Sequence, residues 1–282
     1  MASSVAPWTC PGCGTAVTTA FCPACGERPV APLDLTVRGL GAQALKVVAG
    51  LDGRLMRSLR RLVASPGSLT AAYIAGLRKP LVGPFQIFLF ANIVFFAVQS
   101  LTHVRIFSSP LASHLQLQDW SPLARALVTD RLAAKQTTLA LYAPVFDHAV
   151  VLNAKSLVVL MVLPFALLLP LVFHASRRPF ATHGAFALHT YAFLLLWFCI
   201  DIALASLQQA FGGGGLASQA VDTALTLLNL AVCALYVFVA AGRVYGGPAW
   251  RRAVQAVVLS VAVVFVTLGY RFAVFLITLY TT

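Results

Sequence analysis

Five long apolar stretches constrain the fold of this chain more than any other feature of its sequence. Crossing ~30 Å of hydrocarbon takes about 20 helical residues, and each stretch reaches roughly that length. The stretches lie near residues 81–102, 156–176, 183–207, 222–242 and 253–276. Because lipid offers backbone amides no hydrogen-bond partner, each stretch is expected to be helical. The sequence therefore predicts an all-α polytopic membrane protein with about five transmembrane helices.

The composition supports this class. Hydrophobic residues make up 60% of the 282-residue chain and charged residues only 10%, whereas soluble domains carry about 25% charged residues. The formal net charge of +12 is compatible with nucleic-acid binding. In a membrane protein, however, the commoner cause of such an excess is a set of basic cytoplasmic segments.

The distribution of Lys and Arg predicts the orientation. Five spans place residues 1–80, the segment between spans two and three, and the segment between spans four and five on the same side. Those segments hold 14 of the 20 Lys and Arg residues. The positive-inside rule then predicts a cytoplasmic N-terminus and a C-terminus outside.

Residues 1–30 form a separate predicted module, a small zinc ribbon. Its four cysteines follow the spacing C-x2-C-x8-C-x2-C, and they are Cys10, Cys13, Cys22 and Cys25. Four thiolates arranged in two such pairs suit one structural zinc ion and leave no open position for catalysis. An iron site and two redox pairs are the alternatives, and the absence of a surrounding βαβ pattern disfavours the redox reading. Residues 14–21 contain no Lys or Arg, which disfavours a nucleic-acid partner.

Residues 31–80 predict a basic amphipathic helix followed by an elbow. Apolar residues recur every three or four positions from Val37 to Leu62, which is helical periodicity. Such a helix either lies on anionic lipid or packs on the cytoplasmic face of the protein itself, and the sequence leaves both readings open. After it, Ser65 is expected to cap a short helix that Gly76 ends.

Between the first two spans, an outer loop is expected over residues 103–154, with a helix that starts at Ser121 and lies against the outer surface or caps the bundle. In the second span, Pro164 and Pro170 predict a kink or local unwinding.

Polar residues in or near the spans are candidate sites, because ionisable groups within a membrane are rare and costly. One predicted set lies either inside the membrane, as Asn92 near the middle of the first span, or near its outer boundary, as Asp201, Asp222 and Arg271. In this set Arg271 is expected to form an ion pair with Asp201 as the first choice and with Asp222 as the second. The sequence leaves open whether this pair stabilises the bundle or lines a transport pathway. The second set, at the inner boundary, is either a phosphate or headgroup site or an ordinary basic turn, and comprises His174, Arg177, Arg178 and His183.

The order of these parts resembles an uncharacterised bacterial membrane family, domain of unknown function 3667. The resemblance rests on two groups of residues and covers roughly residues 8–100. The first group is Phe21, Cys22, Cys25 and Gly26; the second is Pro66, Gly67, Tyr73, Gly76, Arg78 and Pro84. It implies a bacterial inner-membrane protein and no particular activity.

Three classes of function remain after these observations. The leading hypothesis is a non-enzymatic docking, assembly or regulatory protein that uses its zinc ribbon to bind a cytoplasmic protein. The alternative is a small oligomeric transporter or channel subunit, with Asp201, Asp222 and Arg271 near a pore. An enzyme acting on a lipid-linked substrate is disfavoured, because the sequence contains no serine elbow, P-loop or His–Glu metal motif.

Overall fold

Two units make up the chain in a computed structural model, residues 1–54 and residues 55–282. The structure describes residues 7–10, 14–19, 21–24, 53–76, 81–102, 104, 106–213 and 218–282. Most of the predicted amphipathic helix, together with Cys13 and Cys25, lies outside these described residues.

The described part of the first unit is a small hairpin. Strands β1 (Trp8–Thr9) and β2 (Ala16–Val17) pair antiparallel, with Trp8 opposite Val17. Behind the pair, Cys10, Val17 and Cys22 form a buried cluster against which Trp8 packs. The Trp8 indole N–H donates to the backbone carbonyl of Thr19 at 3.0 Å, so the aromatic ring also ties the end of β2 to the start of β1.

The second unit is helical, and its membrane-spanning segments confirm the predicted fold class. Within the described residues, five helical stretches are long and apolar enough to cross a membrane. They are α3 (Pro84–Thr102), α6 and α7 with a 3-10 turn between them (Leu139–Val172), α8 (Phe180–Ala210), α9 (Gln219–Val244) and α10 (Ala249–Thr281). Their large outward side chains include Leu101, Leu171 and Phe265, which are mostly exposed, as expected for surfaces that meet lipid.

Two shorter helices precede the first span. The first is α1, helical over residues 53–64. Its half-buried Leu59 and buried Leu62 join the core of the unit, whereas Arg57, Arg60 and Arg61 are exposed. The predicted stripe of leucines therefore packs on the protein itself along this part of the helix, and the basic residues lie off the stripe.

The second short helix is α2 (Ser68–Ile74), and it starts later than expected. Ser65 ends α1 by donating its N–H to the carbonyl of Arg61, and the cap position of α2 is Gly67 with φ +81°. Helix α2 then packs against α8 and α9, and its buried Thr70 bonds His189 of α8 at 2.8 Å between Oγ1 and Nδ1. It is therefore part of the packed bundle. Gly76 follows the end of α2 with φ +79°, as predicted.

The helical stretch that contains the predicted second span begins well before that span, at Leu139, so much of the segment expected as a loop is helical. Asp147, Asn153 and Lys155 interrupt the apolar pattern there, but the first two are bonded within the bundle. Asp147 Oδ1 accepts the Leu111 N–H at 2.7 Å, and Asn153 Nδ2 donates to Thr278 Oγ1 at 2.9 Å. The predicted unwinding is found before Pro164 as a 3-10 turn at Val158–Met161, because Pro164 has no N–H for the carbonyl of Leu160. At Pro170, in contrast, the helix continues to Val172.

Between α3 and α6, helices α4 (Leu111–Gln116) and α5 (Ser121–Lys135) cover one end of the bundle. Buried His114 stacks on Phe275 of α10 with ring centroids 4.7 Å apart, and Trp120 donates its indole N–H to His114 Nδ1. Ala124 and Val128 of α5 are also buried. The predicted helix at Ser121 is thus present and caps the bundle; this end is called the α4–α5 end below.

Candidate functional site

The cysteine hairpin buries two of the four predicted zinc ligands in one cluster. Cys10 and Cys22 are 1% and 2% exposed and share one cluster. Gly14 donates its N–H to the carbonyl of Cys10 at 2.9 Å with φ +71°. That φ is easy only for glycine, which explains why a glycine follows the cysteine pair. The described residues hold no group of three metal-ligating side chains, but they contain only two of the four predicted ligands.

A cavity of about 370 Å³ lies within the membrane-spanning unit, between α8, α9 and α10. One face of α9 forms a wall with the spacing i, i+3, i+4, i+7, i+8 and i+11, namely Asp222, Leu225, Thr226, Asn229, Leu230 and Cys233. A face of α10 repeats this spacing with Ser260, Val263, Val264, Thr267, Leu268 and Arg271. Each stripe is one helical face of about 16 Å at 1.5 Å per residue. This space is called the polar cavity below.

Helix α8 contributes Asp201, the most deeply buried charged side chain of the polar cavity. Its exposed fraction is 4%, and neither carboxylate oxygen has a hydrogen-bond partner. The Asn229 side chain lies beside the carboxylate, and its Oδ1 accepts the Trp197 indole N–H at 2.8 Å. A buried carboxylate without a partner is costly, so Asp201 requires a proton or an external donor.

Arg271 is the positive group of the polar cavity. Its Nη2 donates to Ser109 Oγ at 2.9 Å, while its Nε is buried without a partner. Asp222 is exposed in the first turn of α9 and lies within electrostatic range of Arg271. The predicted members Asp201, Asp222 and Arg271 are therefore brought to one cavity, where the guanidinium bonds a serine and is not bonded to the Asp201 carboxylate. The fourth predicted member, Asn92, is buried on α3 and does not line the cavity.

The four predicted residues near the α7–α8 turn differ in their exposure. His174, Arg177 and Arg178 are exposed. His183 is buried, bonds Tyr245 at 2.9 Å between Nδ1 and the hydroxyl, and stacks on that ring. Tyr245 also stacks on Phe173 at 3.9 Å, and burial raises the pKa of its hydroxyl, which a smaller effect of Arg178 opposes. His183 is therefore held in the bundle by Tyr245, and the predicted phosphate or headgroup contact of the four residues stays a prediction.

Several residues of the polar cavity were not singled out from the sequence. Thr226 of α9 and Ser260 and Thr267 of α10 are ordinary polar residues within apolar helices. Ser109, which follows the first span, does not line the cavity but accepts the hydrogen bond of Arg271. The positions of the polar residues on α9 carry a signal, since Asp222, Thr226, Asn229 and Cys233 lie on one helical face. No comparable signal identifies Ser109, because only the folded α4–α5 end brings it to α10.

Comparison with known proteins gives one partial match. Residues 52–96 match the model of a protein family of unknown function, DUF3667. The matched stretch contains α1, the Gly67 turn, α2 and the start of α3, but not the cysteine hairpin. None of the curated proteins and none of the solved structures compared with the chain matches it. The chain is thus an integral membrane protein that carries a domain of unknown function at the entry to its first span.

Proposed function

We propose that this protein is a non-enzymatic docking, assembly or regulatory protein of a bacterial inner membrane. In this proposal its N-terminal module holds one structural zinc ion and binds a cytoplasmic protein. The observation that carries the proposal is the hairpin, which buries Cys10 and Cys22 in one cluster. Cys13 and Cys25 would complete a set of four thiolates, the donors that structural zinc prefers.

The surface of the hairpin supports a docking role. Phe21 is 61% exposed directly beside the buried Cys22. A module this small has little apolar material to spare for its own core, so an exposed aromatic ring next to the metal-binding end suits a protein contact. The absence of Lys and Arg from residues 14–21 favours a protein over a nucleic acid.

The orientation and lipid contacts belong to the same proposal. Arg57, Arg60 and Arg61 are exposed on α1, and exposed basic residues beside a span favour the cytoplasmic side. Met56 and Val63 of α1 are 67% and 56% exposed. This combination of apolar and basic residues suits contact with anionic lipid at the cytoplasmic surface.

A photo-crosslinking experiment in cells tests the docking role. A photoreactive amino acid at Phe21 is expected to give a discrete crosslinked product, and the product is expected to disappear when Cys10→Ser removes a predicted zinc ligand. The matched control places the same amino acid at Leu123, which is 50% exposed on α5. A product at Phe21 that survives Cys10→Ser, or none at Phe21, contradicts the proposal.

A small transporter or channel subunit is the second proposal, and the polar cavity favours it. The cavity brings charged residues from α8, α9 and α10 together within the membrane-spanning unit. In proteoliposomes, protein-dependent flux of small charged solutes that Asp201→Asn abolishes would support this function. Flux absent from wild type, or equal in the variant, would contradict it.

A further inference from the structure

The polar cavity has the dimensions of a binding site rather than of a packing defect. Its volume of about 370 Å³ equals that of about a dozen water molecules and lies within the ~300–1,000 Å³ typical of ligand pockets. Genuinely empty cavities are lined by apolar side chains, whereas this one has three charged residues on three helices, Asp201, Asp222 and Arg271.

A gradient of exposure runs along the cavity. Asp222 at the start of α9 is exposed, and Cys233, 11 residues further along the same face, is 3% exposed. The Asp222 end is therefore the mouth, and the Cys233 end is the floor, about 16 Å away along α9. A solute that enters at the mouth meets Asp222 and Arg271 before it reaches the buried wall.

The unpartnered groups specify what such a solute must offer. Asp201 has two buried oxygens without a donor, and Arg271 has a buried Nε without an acceptor. Phe107 and Phe198 also line the cavity, with ring centroids 6.0 Å apart. Aromatic faces attract organic cations, so the Asp201 side of the cavity suits a positive group and the Arg271 side suits a negative one.

Other ligand classes fit less well. A divalent metal ion would be repelled by the Arg271 guanidinium, and no cluster of three metal-ligating groups is found among the described residues. A simple anion would leave Asp201 unpaired in a buried site, and a simple cation would leave the Arg271 Nε unpaired. Each unpaired buried group carries a desolvation penalty, and a single molecule with both charges removes both penalties.

We propose that the polar cavity binds a small zwitterion, with its ammonium group at Asp201 and its carboxylate or phosphate group at Arg271. Two sources share this chemistry: a free amino acid, and the phosphoethanolamine headgroup of a lipid. The inference deepens the transport proposal, because both use the same cavity. Binding without flux would remove the transport proposal and leave this inference intact.

The test uses the full-length protein in nanodiscs of phosphatidylglycerol, a lipid that has no ammonium group. Binding of two zwitterionic probes, alanine and phosphoethanolamine, is measured by isothermal titration calorimetry. N-acetylalanine lacks the ammonium group, and ethylammonium lacks the anionic group. We expect at least one zwitterion to bind, and each one-charge analogue to bind at least tenfold more weakly, a difference of about 1.4 kcal/mol.

Three variants separate the roles of the side chains. Asp201→Asn and Arg271→Gln are expected to weaken the zwitterion at least tenfold, whereas Asp130→Asn, on the exposed surface of α5, leaves binding unchanged. A second arm repeats the titration in nanodiscs that contain phosphatidylethanolamine. If the headgroup is the occupant, this lipid raises the thermal stability of wild type but not of Asp201→Asn, and it competes with the soluble probe.

Two results would overturn the proposal. One is the absence of binding by both soluble probes together with no stabilisation by phosphatidylethanolamine. The other is equal binding of the zwitterions and their one-charge analogues by wild type. This comparison uses no variant, so it does not depend on whether Asp201→Asn folds.

Discussion

Replacing Gly67 with alanine is expected to destabilise the membrane-spanning unit strongly, for two reasons that the structure separates. The residue has φ +81°, and a Cβ there would lie 2.6 Å from the carbonyl oxygen and 2.7 Å from the Cα of Ala240 on α9. The left-handed conformation costs an alanine about 1–2 kcal/mol. Displacing a packed helix backbone adds about 1–3 kcal/mol. The expected total is about 2–5 kcal/mol.

Gly76→Ala is the matched control. Gly76 has φ +79°, but nothing lies within 4 Å of a Cβ built there, so only the conformational part of the cost applies. The assay is the thermal unfolding midpoint of each purified variant in the same detergent. We expect Gly67→Ala to lower the midpoint clearly more than Gly76→Ala. Equal midpoints for the two variants would refute the argument that α2 enters the bundle by close contact with α9.

Three further predictions test other parts of the structure. Burial and the charge of Arg271 lower the pKa of His114 to about 4 from an ordinary 6.5. Between these two values the unfolded chain binds the proton and the folded chain does not, so the free energy of unfolding should be full above pH 6.5 and fall towards pH 4. His114→Gln should flatten this dependence, and parallel pH profiles of wild type and variant would contradict it. Thr70→Val leaves the buried His189 Nδ1 without its partner and should lower the free energy of unfolding by about 1–3 kcal/mol. The control Thr129→Val, on the exposed face of α5, should be nearly neutral, and similar unfolding midpoints of the two variants would refute the difference. A reporter active only outside the cytoplasm should be active after Thr282 and inactive after Arg178, and the reverse pattern would exclude the proposed orientation.

The spans were predictable from sequence because apolar runs of this length have few other stable environments. The start of the helix that contains the second span was not, since Asp147 and Asn153 are typical of loops until their partners are known. Those partners, the Leu111 N–H and Thr278 Oγ1, lie 36 and 125 residues away in the chain. Sequence patterns carry local periodicity, and they do not carry such long-range hydrogen bonds.

For the candidate sites too, the sequence predicts the residues that local periodicity places together and misses the long-range contacts. Asp201, Asp222 and Arg271 were predicted at similar depth from helix length alone, and the structure brings them to one cavity. The expected bond between Arg271 and Asp201 is absent from the structure, where the Arg271 Nη2 donates to Ser109 and both Asp201 oxygens lack a partner. Asp222, the second expected partner, lies within electrostatic range of the guanidinium. The start of α2 was misplaced because Ser65 resembles a helix cap, whereas the close approach to Ala240 requires the glycine two residues later.

The metal content of the purified full-length protein tests the central claim most directly. Elemental analysis should find one zinc ion per chain in wild type and in Cys199→Ser, whose cysteine lies on α8 and donates to the carbonyl of Leu195. Cys10→Ser and Cys22→Ser should each lose the zinc, because each removes one of the four predicted thiolates. Iron in place of zinc, no metal in the wild type, or zinc retained by both hairpin variants would contradict a structural zinc module at the N-terminus.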